Sequence, residues 1–387
     1  MLYQGFHTHS VHWASPTSFS LFGLAAGPHS VRLVLADATD ADIGGAGSTH
    51  TLQLTVSTPQ AGTFGLQPVI SGLETALGMV MAPDGRIFFT EFLSGNIRII
   101  NPGWQLTPTP FATIAIGNLP PERGLIGITL DPDFPNNHFV YVYHTAEDLS
   151  HNRVVRLTDN NGVGENPTVI LDDLPANEFH NGGNLHFGPD GKLYVTIGDA
   201  GEADLAQDTT SVSGKILRIN ADGSVPDDNP IPGSPVYALG MRNSFDFTFH
   251  PHTGDLWATE NGDDTNDEVN LIVPGGNYGW PVVTGIANQP PFIDPIVTFT
   301  PTIAPTAVLA IPEGSAYPVQ YHNGLLFADA NNGRLYLIEL AGTSLRELGS
   351  LSIAYPGGQG SLVGMFYGLD GYIYVTNFGS IFRVVVN

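Results

Sequence analysis

The chain contains no cysteine. Disulfides, zinc thiolates and cysteine nucleophiles are therefore excluded. Charge is scarce at 13% of residues, and positive charge scarcest, with 13 Lys plus Arg against 37 Asp plus Glu. A net charge of −24 repels phosphate backbones and anionic lipid, which argues against nucleic acid as a partner. The same acidity suits either solubility or cation binding. No run of 18 apolar residues occurs, so no transmembrane span is expected. The N-terminal MLYQGFHTHSVHW has neither a basic n-region nor an apolar h-region and does not read as a signal peptide.

Glycine (46) and proline (30) are abundant. Disorder is not the reason, because 42% of residues are hydrophobic and 10% aromatic. Gly and Pro instead bracket short runs of Val, Ile, Leu, Tyr and Phe, the pattern of an all-β chain with many turns. The first 60 residues stand apart. SFSLFGLAAG and HSVRLVLADA read as two strands around Gly27-Pro28, and THTLQLTVST as a third. A complete immunoglobulin-like sandwich needs about seven strands. Residues 1–60 are therefore expected to be a partial immunoglobulin-like β segment, either the closing strands of a module whose start is missing or strands that pack on the following domain and cover its edges.

From residue 61 to 387 one design repeats. APDGRIFFTE, DPDFPNNHFVYVYHT, GPDGKLYVTIGD, HPHTGDLWATENG, YHNGLLFADANNG and GLDGYIYVTNFG each place a turn before an apolar strand. The turns lie about 45 to 70 residues apart, enough for a four-stranded blade plus loops. Six repeats predict a six-bladed β-propeller. A strand near Gly65–Ile70 is expected to close the ring beside Ile381–Val386.

Propeller chemistry sits in loops. His180, before Asn181-Gly182-Gly183, has the chemistry of a general base, and Asp199 returns on the next strand to orient its imidazole. The alternative is an ordinary surface histidine. Arg242-Asn243 suits carboxylate or carbonyl oxygens, or else it satisfies propeller backbone. Glu260, Asp263, Asp264, Asp267 and Glu268 crowd one loop without EF-hand spacing. Such a loop either holds Ca²⁺ or is merely solvated.

GLIGITLDPDFPNNHFVYVY, HNGGNLHFGPDGKLYVTIGD, GKILRINADGSVPDDNP, ALGMRN and DEVNLIVPGGNYGWP follow one another in this order. Together they resemble the soluble glucose/sorbosone dehydrogenases, six-bladed propellers that oxidise sugars with pyrroloquinoline quinone (PQQ) and bind calcium. The resemblance implies oxidation of an aldose at C1 to a lactone, hydride transfer to the quinone and an external electron acceptor. It implies His180 as the base, Asp199 as its carboxylate partner, and Arg242 and Asn243 as cofactor contacts. Glu122 falls at the substrate pocket. The backbone at Gly262 and Asp263 falls at a calcium under the cofactor, and Glu268 and Tyr278 at a second, structural calcium. A periplasmic or extracellular location follows from the same resemblance.

There are departures. Asn331, Ser361 and Val363 stand where the family places a Lys and two Arg. Met241, Ser244 and Asn184 replace a usual His, Pro and Arg. Arg242 is left as the one clear cofactor cation, and the loop from 285 to 316 adds only Asp294 and Glu313 as charges. Three readings stay open. The first is a quinone-dependent aldose dehydrogenase. The second is a non-enzymatic, calcium-stabilised propeller that binds carbohydrate or protein. The third is a lactonase-like hydrolase.

Overall fold

The computed structural model describes Leu2–Tyr3, Gly27–Val34, Thr49–Val56 and residues 64–117 and 121–387. The chain divides into two compact units, 1–63 with Asn387, and 64–386. In the first, the three strands form one antiparallel sheet with Gly27–Val34 in the middle. Gly27 and Pro28 are not the turn the sequence suggested. They open that strand, opposite Val56 and Thr55. A proline is tolerated at a strand's first residues, where little of the ladder needs its missing N–H. Most of the strand expected over 18–27 lies outside the described residues.

The second unit is nearly all β. It holds four four-stranded antiparallel sheets and one of seven strands. The seven-stranded sheet is held together by one 18-residue strand, Phe64–Met81. Its first part pairs with the C-terminal strand Phe378–Val386, Phe64 opposite Val386 and Ile70 opposite Ile381; its last part pairs with Ile87–Glu91. The two ends of the unit therefore meet in one sheet, as the apolar runs at 65–70 and 381–386 predict.

Each of the six repeated turns leads into the second strand of a hairpin. Five of those strands, Ile87–Glu91, Leu193–Ile197, Leu256–Glu260, Leu325–Asp329 and Ile373–Thr376, are buried at every residue. Burial on both faces is why they read as unbroken apolar runs rather than alternating ones. The first strands touch one another in a closed ring: Phe64–Met81, Leu125–Leu130, Leu185–Phe187, Ser244–Phe249, Pro305–Ala310, Gly364–Tyr367 and back.

Two kinds of contact fasten neighbouring sheets. Apolar side chains fill the gaps, such as Trp257 and Val269 of one sheet against Val308, Phe327 and Tyr336 of the next. Each fully buried side chain of this size contributes roughly 1.5–3 kcal/mol. Buried threonine hydroxyls then donate across the gap: Thr90 to Ile126 O at 2.8 Å, Thr259 to Thr306 O at 2.7 Å and Thr306 to Leu362 O at 2.8 Å.

Lys215 fastens the loop that follows Asp199. Its ammonium is fully buried and donates to the carbonyls of Leu205, Ala206 and Ser213 at 2.9, 2.9 and 2.6 Å. Burial, only partly opposed by the Asp208 charge, pushes its pKa down to about 8. Between pH 8 and the ordinary lysine value of 10.5 the unfolded chain keeps a proton the folded chain has lost. Stability therefore rises with pH across that window. Lys215→Met is expected to remove this slope, read as urea midpoints at pH 7.5, 9 and 10.5; an identical slope in both proteins would show that Lys215 titrates normally.

Candidate active site

A pocket of about 430 Å³ opens among the loops. It falls within the range of small-ligand sites. Its lining includes Glu122, His180, Arg242, Asn243, Gly262 and Asp263, so six of the residues singled out in the sequence meet in one cavity. Phe92, Phe179, Phe245 and Phe378 supply flat apolar walls. Phe179 is 49% exposed.

His180 is held by its backbone from several sides. It adopts φ +60°, a conformation uncommon for residues other than glycine. Its N–H donates to Glu122 Oε2 at 2.6 Å, and its carbonyl accepts from Ala200 N at 3.1 Å. The next residue, Asn181, accepts from Asn152 Nδ2 at 3.0 Å and receives Tyr143 Oη on its carbonyl at 3.0 Å. Gly198, at the end of the neighbouring strand, lets the two segments approach. A Cβ there would lie 2.0 Å from His180 O.

The imidazole Nδ1 lies 2.7 Å from Asp199 Oδ1. Ionised Asp199 can only accept, so Nδ1 carries a proton, and in the neutral imidazole Nε2 holds the lone pair. Asp199 is buried, which opposes ionisation. Hydrogen bonds from His180, from Gly201 N–H at 2.8 Å and from Trp280 Nε1 at 2.9 Å outweigh that burial, and the carboxyl is held below its ordinary range.

Arg242 and Asn243 are presented by Glu260. Its Oε1 accepts both backbone N–H groups, at 2.7 and 2.6 Å. Burial first, and the Glu268 charge opposite it on the neighbouring strand second, push Glu260 up to about 8. Among the described residues its Oε2 has no hydrogen-bond partner. The Asn243 side chain accepts from Gly182 N at 3.0 Å and reaches Glu122 Oε2 at 3.5 Å. Glu122 thus touches both the histidine and the asparagine segments. The Arg242 guanidinium donates to the carbonyls of Asn261 and Gly262 at 3.1 and 2.6 Å and pairs with Asp263 at 3.1 Å. It also lies 5.6 Å from the ring of Trp280.

Glu268 and Tyr278 are not among the residues lining the pocket. Glu268 accepts from Asn270 Nδ2 at 3.0 Å and Gly285 N at 2.8 Å, and burial pushes its carboxyl up. The Tyr278 hydroxyl donates to Leu271 O and accepts from Val273 N within its own turn. Among the described residues, no three carboxylates of the acidic loop come within 4.8 Å of one another. Any cation there would need backbone carbonyls as well. Asp267 lines the pocket but is taken up by N–H groups of Gly262, Ile303 and Ala304 at 2.8, 2.6 and 2.7 Å. Sequence reasoning gave no role to Trp280 or Glu260. One sat in a quoted motif and the other in the acidic count, and no local signal tied either to the base or to Arg242.

The profile of the family described as "Glucose / Sorbosone dehydrogenase" matches residues 73–380. This chain belongs to that family. It is 35% identical to quinoprotein glucose dehydrogenase B of Acinetobacter calcoaceticus over 255 residues, 57% of this chain and 53% of that one. The chain thus spans about half the length of that relative. Among solved structures it resembles an oxidoreductase described as a glucose dehydrogenase from Thermus thermophilus (35% identity, TM-score 0.75, 83% of this chain and 100% of that one). It also resembles the PQQ-bound aldose sugar dehydrogenase of Streptomyces coelicolor (29% identity, TM-score 0.75, 86% and 100%). These family structures share the propeller-like, nearly all-β architecture described above.

Proposed function

We propose that this chain oxidises aldose sugars at C1 to lactones with PQQ as cofactor and His180 as the base. The observation that carries the reading is the His180–Asp199 pair at 2.7 Å in a pocket shared with Arg242 and Asn243. In this reading, the closed ring of first strands counts as six blades of a propeller over 61–387. The long strand Phe64–Met81 serves two of them, and 1–60 is a partial immunoglobulin-like segment.

The pocket suits a flat anionic cofactor. It offers aromatic walls, one guanidinium, the amides of Asn243 and Asn261, and carbonyls suited to a hard cation. Arg242 and Asn243 would hold the cofactor, and Gly262 and Asp263 its calcium. When bound, PQQ would supply the acceptor for the two electrons that leave C1 with its hydrogen. His180 Nε2 takes the C1 hydroxyl proton. Asp199, ionised because three donors hold it below its usual range, fixes the tautomer and stabilises the imidazolium. Glu122 faces the sugar. Calcium at Gly262 would compete with Arg242 for the Gly262 carbonyl, and the guanidinium would keep its bonds to Asn261 O and Asp263. The same reading gives an external electron acceptor as partner and a periplasmic or extracellular location. Among the described residues no helix is long and apolar enough to cross a membrane.

Reconstitution with PQQ and Ca²⁺, followed by dye reduction with a panel of aldoses, tests this. Turnover is expected. Absence of cofactor binding at micromolar concentration with calcium present would overturn it. One observation favours a second reading, the non-enzymatic calcium-stabilised binding propeller. Among the described lining residues Arg242 is the one Lys or Arg, while Ala330 and Val363 are uncharged. Each absent charged hydrogen bond forgoes about 1.5–3 kcal/mol of affinity. Both readings share calcium. Chelation is expected to lower the melting temperature, since a ligand that binds only the folded state stabilises it. An unchanged melting curve would remove Glu268 and Tyr278 as ligands.

A further inference from the structure

We infer that Trp280 is a positioning residue that ties the carboxylate behind the base to the pocket's arginine. The inference rests on the reading of His180 as base. The indole edge donates from Nε1 to Asp199 Oδ2 at 2.9 Å, while the face of the same ring lies 5.6 Å from the Arg242 guanidinium. Asp199 Oδ1 is already shared by His180 Nδ1 and Gly201 N, at 2.7 and 2.8 Å. Trp280 therefore anchors the other oxygen and stops the carboxylate from turning about its own bond. The carboxylate in turn fixes the imidazole plane.

Trp280 is itself fastened. Its N–H donates to Gly240 O at 3.0 Å, and its carbonyl accepts from Gln207 Nε2 at 2.7 Å. Gln207 and Asn277 exchange amide hydrogen bonds at 3.1 and 2.8 Å, which locks that acceptor group in place. Gln207 belongs to the loop that Lys215 pins, so the anchor of Asp199 and the anchor of Trp280 share one rigid support. Indole has one donor and no acceptor. Trp280→Phe thus removes the bond to Asp199 and leaves an aromatic face for Arg242.

In the reconstituted full chain, W280F is expected to lower kcat by about 10-fold. That is the low end of the roughly 10–100-fold seen when the partner that orients a metal-bound histidine is itself removed, because the bond lost here is to that partner, Asp199. KM should change less than about threefold, because the sugar contacts are untouched. The double variant Asp199→Asn with Trp280→Phe should be no slower than Asp199→Asn alone, since Trp280 acts through Asp199. A readout without cofactor is the NMR resonance of the His180 Nδ1 proton, identified by its loss in Asp199→Asn. It should move in W280F while the melting temperature stays within a few degrees. Additive losses in the double variant, or an unmoved imidazole proton, would overturn the inference. If the wild-type chain shows no turnover with PQQ, the resonance still decides the role of Trp280, and only the dehydrogenase reading falls.

Discussion

His180→Asn is expected to lower kcat for aldose oxidation by about 10²–10⁴-fold, the contribution of a positioned general base. Asparagine is the informative replacement. It tolerates the φ of +60° at this position and keeps a polar group for Asp199, so the loop should hold its shape. What it lacks is a lone pair of suitable basicity at the Nε2 position. The melting temperature should move little, while cofactor titration should still saturate. Asp199→Asn should reach a similar loss by another route. Its amide can present N–H to Nδ1, turning the imidazole into the tautomer that leaves no acceptor at Nε2. Steady-state dye reduction checks both. A His180→Asn enzyme retaining more than a tenth of the wild-type rate would show that another group takes the proton.

Gly198→Ala is the second large effect, and it is steric. The new Cβ would stand 2.0 Å from His180 O and 2.4 Å from His180 C, and both are backbone atoms that no rotamer change can clear. Either the His180 loop or the strand end carrying Asp199 must shift. A shift breaks the bond from Ala200 N to His180 O and pulls the imidazole off Asp199. Overpacking of this kind costs about 1–3 kcal/mol of stability. Misplacing a base by an ångström costs about 10²-fold in rate. Gly191→Ala is the control. Gly191 has positive φ, +72°, as Gly198 does not, and no atom lies within 4 Å of its Cβ position. It should carry a backbone cost of about 1–2 kcal/mol and keep full activity. Urea unfolding and turnover of the two variants separate the cases; a fully active, fully stable Gly198→Ala would mean the two segments do not approach as described.

The strands were legible because their information is local. IFFTE, LYVTI, LWATE and LLFAD are short apolar runs behind tight turns, and burial on both faces demands that composition. The pairing of 65–70 with 381–386 was legible too, because the last sheet needed a strand and one apolar run was left over. Gly27-Pro28 misled for the converse reason: the pair usually marks a turn, and only the sheet partner across from it shows that it opens a strand. His180 and Asp199 could be paired in advance because an antiparallel return brings them together over 19 positions. The rest of the site could not. Trp280 is 81 positions from Asp199, and Glu122 is 121 from Asn243. By itself the sequence determined the strands, the turns and the kinds of side chain available for chemistry. The tertiary structure alone decided which of those side chains meet, because ring closure brings loops from different sheets to one pocket and no spacing along the chain encodes that meeting.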